Sequence, residues 1–223
     1  AIALLLVTAG FLAPRADARP QGVEPGVALA KRVKEALFLI DTEDGWGTGF
    51  LFGDKKTVIT NRHVVISGAQ NPTGNAVTLY PIETEEDGLV RTTEKGLSGV
   101  VRWVHPALDL AVIELGKAIN GEPLAIRPGE GRTLRPRGTE LWAHGVPAVI
   151  QAPTISRGVL AGYKKDYFDL ATYYISDVAI AAGSSGGPVT DADGYLVGVS
   201  TASYSLEVGD TRWTSLVPAR AVR

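Results

Sequence analysis

Cysteine and methionine are both absent from this chain of 223 residues, and histidine occurs only three times. Without cysteine the chain can form neither a disulfide nor a thiolate nucleophile, and it cannot hold a cysteine-ligated zinc or iron–sulfur site. The three histidines, His63, His105 and His144, leave few ligands for a histidine-rich metal site. We therefore expect no metal and no cofactor, and a fold held by core packing alone.

A strong charge of either sign is also missing, since 22 Lys and Arg residues face 24 Asp and Glu residues. The formal net charge of −2 provides no overall positive field that would attract nucleic acid or an anionic membrane. The apolar share of 45% is that of an ordinary globular protein, which excludes disordered, collagen-like and coiled-coil chains. The length suits one compact unit or two small lobes.

The apolar run at residues 1–13, AIALLLVTAGFLA, is shorter than the about 20 residues that a membrane-spanning helix needs. Small residues follow at Ala16 and Ala18, and then Arg19 and Pro20. This order is typical of the apolar region and cleavage site of a secretory signal peptide. We predict that residues 1–18 are the remnant of one, with no stable membrane insertion after cleavage. A buried helix or an uncleaved anchor is the alternative.

Short runs of β-branched and aromatic residues, separated by turn residues, fill most of the chain after residue 37. This pattern predicts an all-β barrel or sandwich. Before it, residues 21–26 are interpreted as a linker, and residues 27–37 as a short amphipathic helix. The positions at helical spacing are Val27, Ala30, Val33 and Leu37. The polar, Pro/Gly-rich residues 127–138 predict a connection between two lobes.

The sequence GSSGGP at residues 183–188 has the features of a turn that exposes a nucleophile. Glycine permits close backbone approach and dihedral angles that other residues avoid. Such a turn can expose the Ser185 hydroxyl while the N–H groups of Gly183 and Ser185 point to one place, where they could stabilise a developing oxyanion. A flexible Gly/Ser loop is the simpler interpretation of this segment taken alone.

A serine hydroxyl needs a base, and the base needs an orienting carboxylate. His63 lies in TNRHVV at residues 60–65, directly after a strand-like run. Asp109 opens the apolar run DLAVI, where a carboxylate is costly to bury without a partner. The order His63, Asp109, Ser185 is the order of the chymotrypsin fold and differs from that of subtilisins and α/β-hydrolases. His105 and His144 are interpreted as structural, and the four tryptophans as core or inter-barrel packing.

These segments resemble those of a trypsin-like serine protease of the bacterial HtrA/Deg type. The resemblance covers residues 36–223 and includes segments far from the three residues above. Its motifs are WGTGFL at 46–51, TNRHVV at 60–65, DLAVI at 109–113, GVP at 145–147, SDVAIAAGSS at 176–185, LVGVSTA at 196–202 and LVP at 216–218. A bacterial envelope location, secreted or periplasmic, agrees with the apolar N-terminal run.

The resemblance implies an all-β fold of two six-stranded antiparallel β-barrels, with a short C-terminal helix. Residues 19–35 would be a linker with a short helix, residues 36–126 the first barrel and residues 127–223 the second. His63 and Asp109 would act from the first barrel and Ser185 from the second, with the Gly183 and Ser185 amides as the oxyanion hole. We expect no PDZ domain among these residues. The substrates would be proteins or peptides.

The same resemblance bears on specificity. Ala179 would form the floor of the pocket for the residue before the scissile bond (P1), and Ala179, Ile180 and Ala181 together favour a small or medium apolar side chain. Ser200, Thr201 and Ala202 would be the strand edge that pairs with the substrate backbone. A catalytically silent protease fold, used as a binding or adhesion module, is the alternative function.

Overall fold

The computed structural model describes residues 24–42, 45–66, 76–85, 88–130, 134–165, 171–205 and 212–222. The predicted signal peptide at residues 1–18 and the start at Arg19 lie outside these residues. Within the described ranges no helix has the length and apolar character needed to cross a membrane.

The first barrel is built from six antiparallel strands. They are β1 (Leu37–Thr42), β2 (Gly45–Leu51), β3 (Thr57–Thr60), β4 (Ala76–Thr84), β6 (Leu97–Val104) and β7 (Ala111–Leu115). Their order is β1-β2-β3-β7-β6-β4, and the pairing of β1 with β4 closes the ring. The short strand β5 (Val90–Thr92) pairs with β4 outside it. A one-turn helix, α2 (Arg62–Val65), follows β3.

The second barrel is also a closed ring of six antiparallel strands. They are β8 (Glu140–Gly145), β9 (Thr154–Lys165), β10 (Thr172–Ser176), β11 (Pro188–Thr190), β12 (Leu196–Ser205) and β13 (Arg212–Pro218). Their order is β10-β13-β12-β11-β8-β9, and a 3-10 helix at Ala219–Val222 ends the described chain. The predicted fold of two six-stranded antiparallel barrels with a short C-terminal helix is confirmed.

Strand β7 shows a regular alternation between buried and partly exposed residues. In β7 the side chains of Ala111, Ile113 and Leu115 are buried in the first barrel, and the residues between them are partly exposed. This period of two is what the pleat of a strand requires. Phe50 of β2 is fully buried in the same core, so its replacement by alanine should cost about 3–5 kcal/mol of the free energy of unfolding.

Helix α1 (Pro25–Lys34) corrects the interpretation of the N-terminal segment. The helix begins inside the stretch interpreted as a linker, because a proline is well suited to the first helical position. Its buried residues are Leu29 and Val33, four positions apart, whereas Val27 is 59% exposed. Val33 packs in the buried core cluster that includes Leu37, Leu29 lies near Gly194, and α1 also contacts β8 and β9 of the second barrel.

Two of the four tryptophans also depart from the expectation of core packing. Trp46 is 51% exposed and Trp103 is 47% exposed. Trp142 and Trp213 are only partly buried. Trp103 contacts the ring of His105 edge-on, at 5.3 Å between ring centres. Trp46 and Trp103 are therefore not core residues, but both line cavities between the barrels, Trp46 with Ile150 of the second barrel and Trp103 with Ala221 of the C-terminal helix.

The chain passes from the first barrel to the second between two adjacent residues. Leu124 N–H donates to Leu51 O at 2.9 Å, and Leu124 O accepts from Gly53 N–H. Ala125 O accepts from Leu196 N–H at 2.9 Å, in the second barrel. The stretch predicted to connect two lobes, residues 127–138, begins just after this crossing, and its residues 131–133 lie outside the described ranges.

Arginines of this stretch bind the buried carboxylate of Asp191, which precedes the turn between β11 and β12. Arg127 Nη2 donates to Asp191 Oδ2 at 2.8 Å, and Arg135 Nη2 donates to the same oxygen at 2.9 Å. Burial raises the pKa of Asp191, but the hydrogen bonds from the two arginines outweigh it and lower the pKa below its ordinary value. The connection is thereby fixed to the second barrel.

Candidate active site

His63 and Asp109 meet at the edge of the first barrel through two hydrogen bonds. His63 lies on α2, directly after β3, and Asp109 lies in the turn before β7. Asp109 Oδ2 accepts from His63 Nδ1 at 2.7 Å, and Asp109 Oδ1 accepts from the His63 backbone N–H at 3.0 Å. An ionised carboxylate can only accept, so the proton of the neutral ring is assigned to Nδ1. His63 Nε2, on a half-exposed side chain, then has no hydrogen-bond partner within the described part of the chain and can accept a proton.

The Asp109 carboxylate is held in its charged form. Burial acts to raise its pKa, but hydrogen bonds from the His63 side chain and from the Thr201 hydroxyl outweigh burial and lower the pKa below its ordinary value. Thr201 lies on β12 of the second barrel and donates to Asp109 Oδ2. The carboxylate therefore joins the two barrels as well as orienting the histidine.

The turn that carries Asp109 is itself fixed by two side chains. His105 Nδ1 accepts from the backbone N–H groups of Ala107 at 3.1 Å and Leu108 at 2.8 Å. Asn61, fully buried, donates from Nδ2 to the backbone carbonyl of Asp109 at 2.8 Å. His105 thus has the structural role that the sequence suggested, one turn away from the site.

The turn around Ser185 requires glycine at two positions, Gly183 before the serine and Gly186 after it. Ser184 N–H donates to Ala181 O at 2.9 Å, and Gly183 has a φ of +92°, as the third residue of a type II turn must have. Gly186 has a φ of +86°. A Cβ on Gly183 would lie 2.5 Å from the backbone nitrogen of Ala148. Conformation and space both exclude a side chain there, which explains the glycine-rich sequence.

Thr48 of β2 holds this turn from the first barrel. Its backbone N–H donates to Ser185 O at 2.8 Å, and its hydroxyl donates to Gly183 O at 2.8 Å. The same hydroxyl accepts from Val146 N–H at 2.9 Å. Thr48 was not singled out by the sequence analysis as a functional residue, although the GTGF motif that contains it was noted.

Ser200 holds the turn from the inside of the second barrel. Its hydroxyl lies 3.0 Å from Ser184 O and 3.2 Å from Gly187 O, and its side chain is 1% exposed. Its backbone N–H donates to Gly187 O, and its carbonyl accepts from Gly186 N–H. Both backbone groups and the side chain of Ser200 are therefore occupied by the turn.

Three groups of the turn have no partner among the hydrogen bonds of the described residues. They are the Ser185 hydroxyl, the Ser185 N–H and the Gly183 N–H. In particular, no hydrogen bond within the described chain joins Ser185 Oγ to His63. Such bonds are often long in unliganded enzymes and tighten when substrate binds. The two free N–H groups are those that the sequence analysis assigned to an oxyanion hole.

The other residues predicted to bind substrate lie on both sides of this turn. Ala179 and Ile180 belong to the irregular segment between β10 and β11; Ala179 is exposed and Ile180 is partly buried. The Ala179 carbonyl accepts from the Ser156 hydroxyl at 2.7 Å. Thr201 follows Ser200 on β12, and the side chain of Ala202 lies outside the described set.

His144 of β8 lies outside the site. It is buried, and its Nε2 lies 3.1 Å from the Thr190 hydroxyl. Burial lowers its pKa to about 3, so the ring is neutral at neutral pH. This environment agrees with the structural role expected from the sequence.

The sequence of this chain matches a known protein family and several known proteins. The family model for the trypsin-like peptidase domain matches residues 47–199. The chain is 29% identical to Protease Do-like 1, chloroplastic, of Arabidopsis thaliana, covering 76% of this chain and 36% of that protein. It is 34% identical to the probable periplasmic serine endoprotease DegP-like of Chlamydia pneumoniae, covering 71% of this chain and 29% of that protein. The chain thus spans about a third of the length of these curated relatives.

Solved structures support the fold. The crystal structure of Deg5 has a TM-score of 0.66 at 24% identity, covering 89% of this chain and 90% of that chain. The HtrA-type protease AlgW with tripeptide has a TM-score of 0.66 at 22% identity, covering 87% of this chain and 60% of that chain. With a family model that matches most of its length and HtrA/Deg-type proteins among its relatives, the chain belongs to the trypsin-like peptidase family.

Proposed function

We propose that this chain is a serine endopeptidase that hydrolyses protein or peptide substrates through an acyl-enzyme on Ser185. The observation that carries the proposal is the doubly hydrogen-bonded pair of His63 and Asp109, at 2.7 Å and 3.0 Å. The Thr201 hydroxyl links this pair to the second barrel, which carries Ser185. A partly buried carboxylate with this set of donors has a clear use in orienting a general base.

In the first step Ser185 Oγ attacks the scissile carbonyl and its proton passes to His63 Nε2. Asp109 stabilises the imidazolium that forms, and it keeps the ring in the tautomer with Nδ1–H. The tetrahedral intermediate then collapses: the C–N bond breaks, and His63 returns the proton to the leaving amine. Water repeats the sequence on the acyl-enzyme and releases Ser185 with its proton restored.

The N–H groups of Gly183 and Ser185 are proposed to bind the negative oxygen of each tetrahedral intermediate. Two facts support this role. Both N–H groups are without a hydrogen-bond partner in the described chain, and the turn that presents them is held by Thr48 and Ser200. Donors fixed in advance need no reorganisation when charge develops, which is why they accelerate the reaction.

We further propose that the site accepts a small or medium apolar P1 side chain. Ala179 would supply only a methyl group at the pocket floor. The nearby carboxylate of Asp177 accepts from Val159 N–H at 2.6 Å, so this carboxylate already has a hydrogen-bond partner in the wall of the barrel. Because the backbone groups of Ser200 are used by the turn, we propose that pairing with substrate backbone begins at Thr201 and continues to Ala202.

The proposed location is secreted or periplasmic. It rests on the apolar residues 1–13 and the small-residue pattern that follows them. N-terminal sequencing of the protein exported from a bacterial host tests it. Cleavage after Ala18 is expected, and retention of residues 1–18 in the exported species would contradict it.

A fluorophosphonate probe and a peptide library test the activity together. The folded wild-type protein should be labelled at Ser185 and should cleave peptides after apolar residues. The variant Ser185→Ala should lose both properties and keep the wild-type unfolding temperature. A folded wild-type protein that is neither labelled nor active would refute the proposal and favour the binding or adhesion module instead.

A further inference from the structure

A cavity of about 540 Å³ lies between the outer face of the first barrel and the β8–β9 loop. The barrel side is formed by Leu39, Asp41, Trp46 and Tyr80. The segment 91–94 and the loop residues Ile150 and Gln151 complete the lining. The residues proposed above for the acyl side of the substrate, including Ala179 and Thr201, do not line it.

The strand register connects the barrel wall of the cavity to the nucleophile turn. Asp41 of β1 is directly opposite Trp46 of β2, and Leu39 is opposite Thr48. Because side chains two residues apart share a face of a strand, Trp46 and Thr48 point to the same side. Thr48 binds the Gly183 carbonyl on that side. Trp46 therefore lies about 7 Å along the strand from a direct contact of the nucleophile turn.

The loop wall is connected to the same turn. Ala148 N–H donates to Ala182 O at 3.3 Å, next to Gly183. Two residues further on, the loop turns back through hydrogen bonds of Ile150 and Gln151 N–H to Pro147 O. Thr92 N–H donates to Gln151 O at 3.0 Å and closes the far end of the cavity. Each wall of the cavity is therefore joined to the nucleophile turn, the barrel wall through Thr48 and the loop wall through Ala148.

The lining suits a cation with an apolar stem. Trp46 and Tyr80 provide aromatic surfaces, and Leu39 and Ile150 provide aliphatic ones. The cavity also holds the carboxylates of Asp41 and Glu94, which have no ion pair or hydrogen bond among the described residues. The cation of the lining, Arg91, is paired with Glu85. Guanidinium and ammonium groups bind both aromatic faces and carboxylates.

We propose that this cavity binds an arginine or lysine side chain of the substrate, two or three residues after the scissile bond. The inference rests on the proposed peptidase function, because it gives the cavity its place on the leaving-group side. It adds a basic preference on that side to the apolar preference on the acyl side. Each basic side chain would lie with its stem against Trp46 and its charge near Asp41 or Glu94.

Peptides with one fixed cleavage site test the proposal. Arginine is compared with citrulline, which has the same shape without the charge, at each of the four positions after the scissile bond. A three- to ten-fold higher kcat/KM is expected for arginine at the second or third position, as an exposed ion pair with an aromatic contact provides. Asp41→Asn and Glu94→Gln should each reduce this ratio, and the double variant should bring it near one.

Glu122→Gln is the matched control, because Glu122 is an exposed carboxylate that does not line the cavity. It should leave the ratio unchanged. Equal cleavage of arginine and citrulline peptides at all four positions would overturn the proposal while leaving the peptidase assignment intact. If free arginine amide instead raised the rate on a peptide without basic residues, the cavity would bind an effector, and the assignment to substrate would be wrong. Loss of the peptidase function itself would be seen separately, as absence of fluorophosphonate labelling.

Discussion

The hydroxyl of Thr201 donates to Asp109 Oδ2, so a residue of the second barrel binds the carboxylate that orients His63 in the first. The variant Thr201→Val keeps the shape of the side chain and removes the donor. Because a hydrogen bond to a charged group contributes about 1.5–3 kcal/mol, kcat/KM should fall about ten- to a hundred-fold. Thr201→Ser should restore most of the activity. Equal rates for the valine and serine variants would show that the hydroxyl has no effect.

Asp109→Asn tests the role of the carboxylate itself. The amide has the same size but can present N–H groups to His63 Nδ1, which favours the wrong ring tautomer. In triads of this kind the change lowers kcat by about ten-thousand-fold. Steady-state kinetics on a cleaved peptide, with circular dichroism to verify folding, provide the measurement. A loss of less than ten-fold in a folded protein would remove Asp109 from the proposed mechanism.

Gly183→Ala should disable the oxyanion turn. The substitution puts a Cβ where φ is +92° and where Ala148 N would be 2.5 Å away, so the turn must change. Loss of one oxyanion donor lowers kcat by about a hundred- to a thousand-fold. The matched control is Gly162→Ala in β9, where a Cβ would meet nothing within 4 Å. Comparable activity of the two variants would contradict the role given to this turn.

Stability should decrease as the pH falls from 6.5 towards 4.5, because of His144. Burial lowers its pKa to about 3 from an ordinary value of 6.5. Between these values the unfolded chain takes up a proton that the folded chain does not, so the free energy of unfolding falls with pH. The slope is at most about 1.4 kcal/mol per pH unit.

Urea unfolding at several pH values, compared with His144→Gln, isolates this contribution. Glutamine retains a partner for Thr190 but does not titrate, so its curve should be flatter than that of the wild type. The lowered pKa of Asp191 affects stability in a separate, lower pH range. The stabilisation that the Asp191 carboxylate provides is complete above pH 3.8, its ordinary pKa, and is lost as the pH falls through the pKa of Asp191 in the folded protein. Identical pH slopes for both proteins above pH 4.5 would refute the assignment to His144.

Local motifs were sufficient to bring out His63, Asp109 and Ser185 as candidates. Each motif combines residue types whose chemistry is local, such as glycines beside a serine. The strand pattern predicted only an all-β barrel or sandwich, and the two six-stranded barrels followed from the resemblance to HtrA/Deg-type proteases. The hydrogen bonds between His63 and Asp109 agree with the prediction of those two residues as candidates.

The contacts between the barrels could not be predicted in the same way. In the sequence Thr48 is an ordinary strand residue. Its role depends on the packing of the two barrels, which brings its hydroxyl to the carbonyl of Gly183, 135 residues away. Ser200 was predicted at a substrate-binding edge, but its backbone N–H, its carbonyl and its hydroxyl are all hydrogen-bonded to the nucleophile turn. The prediction of the buried face of α1 was correct at Val33 but missed Leu29, because Leu29 packs near Gly194, which is far along the chain.

At the crossing, Leu124 is hydrogen-bonded to the first barrel and the adjacent residue Ala125 to the second, so no flexible linker separates these two contacts. A rotation of one barrel relative to the other would therefore strain the backbone hydrogen bonds on both sides of the peptide bond between Leu124 and Ala125. The distance between His63 and Ser185 therefore cannot change independently of this junction. It depends on contacts that join the barrels, so a change at this junction would also change the position of Ser185 relative to His63.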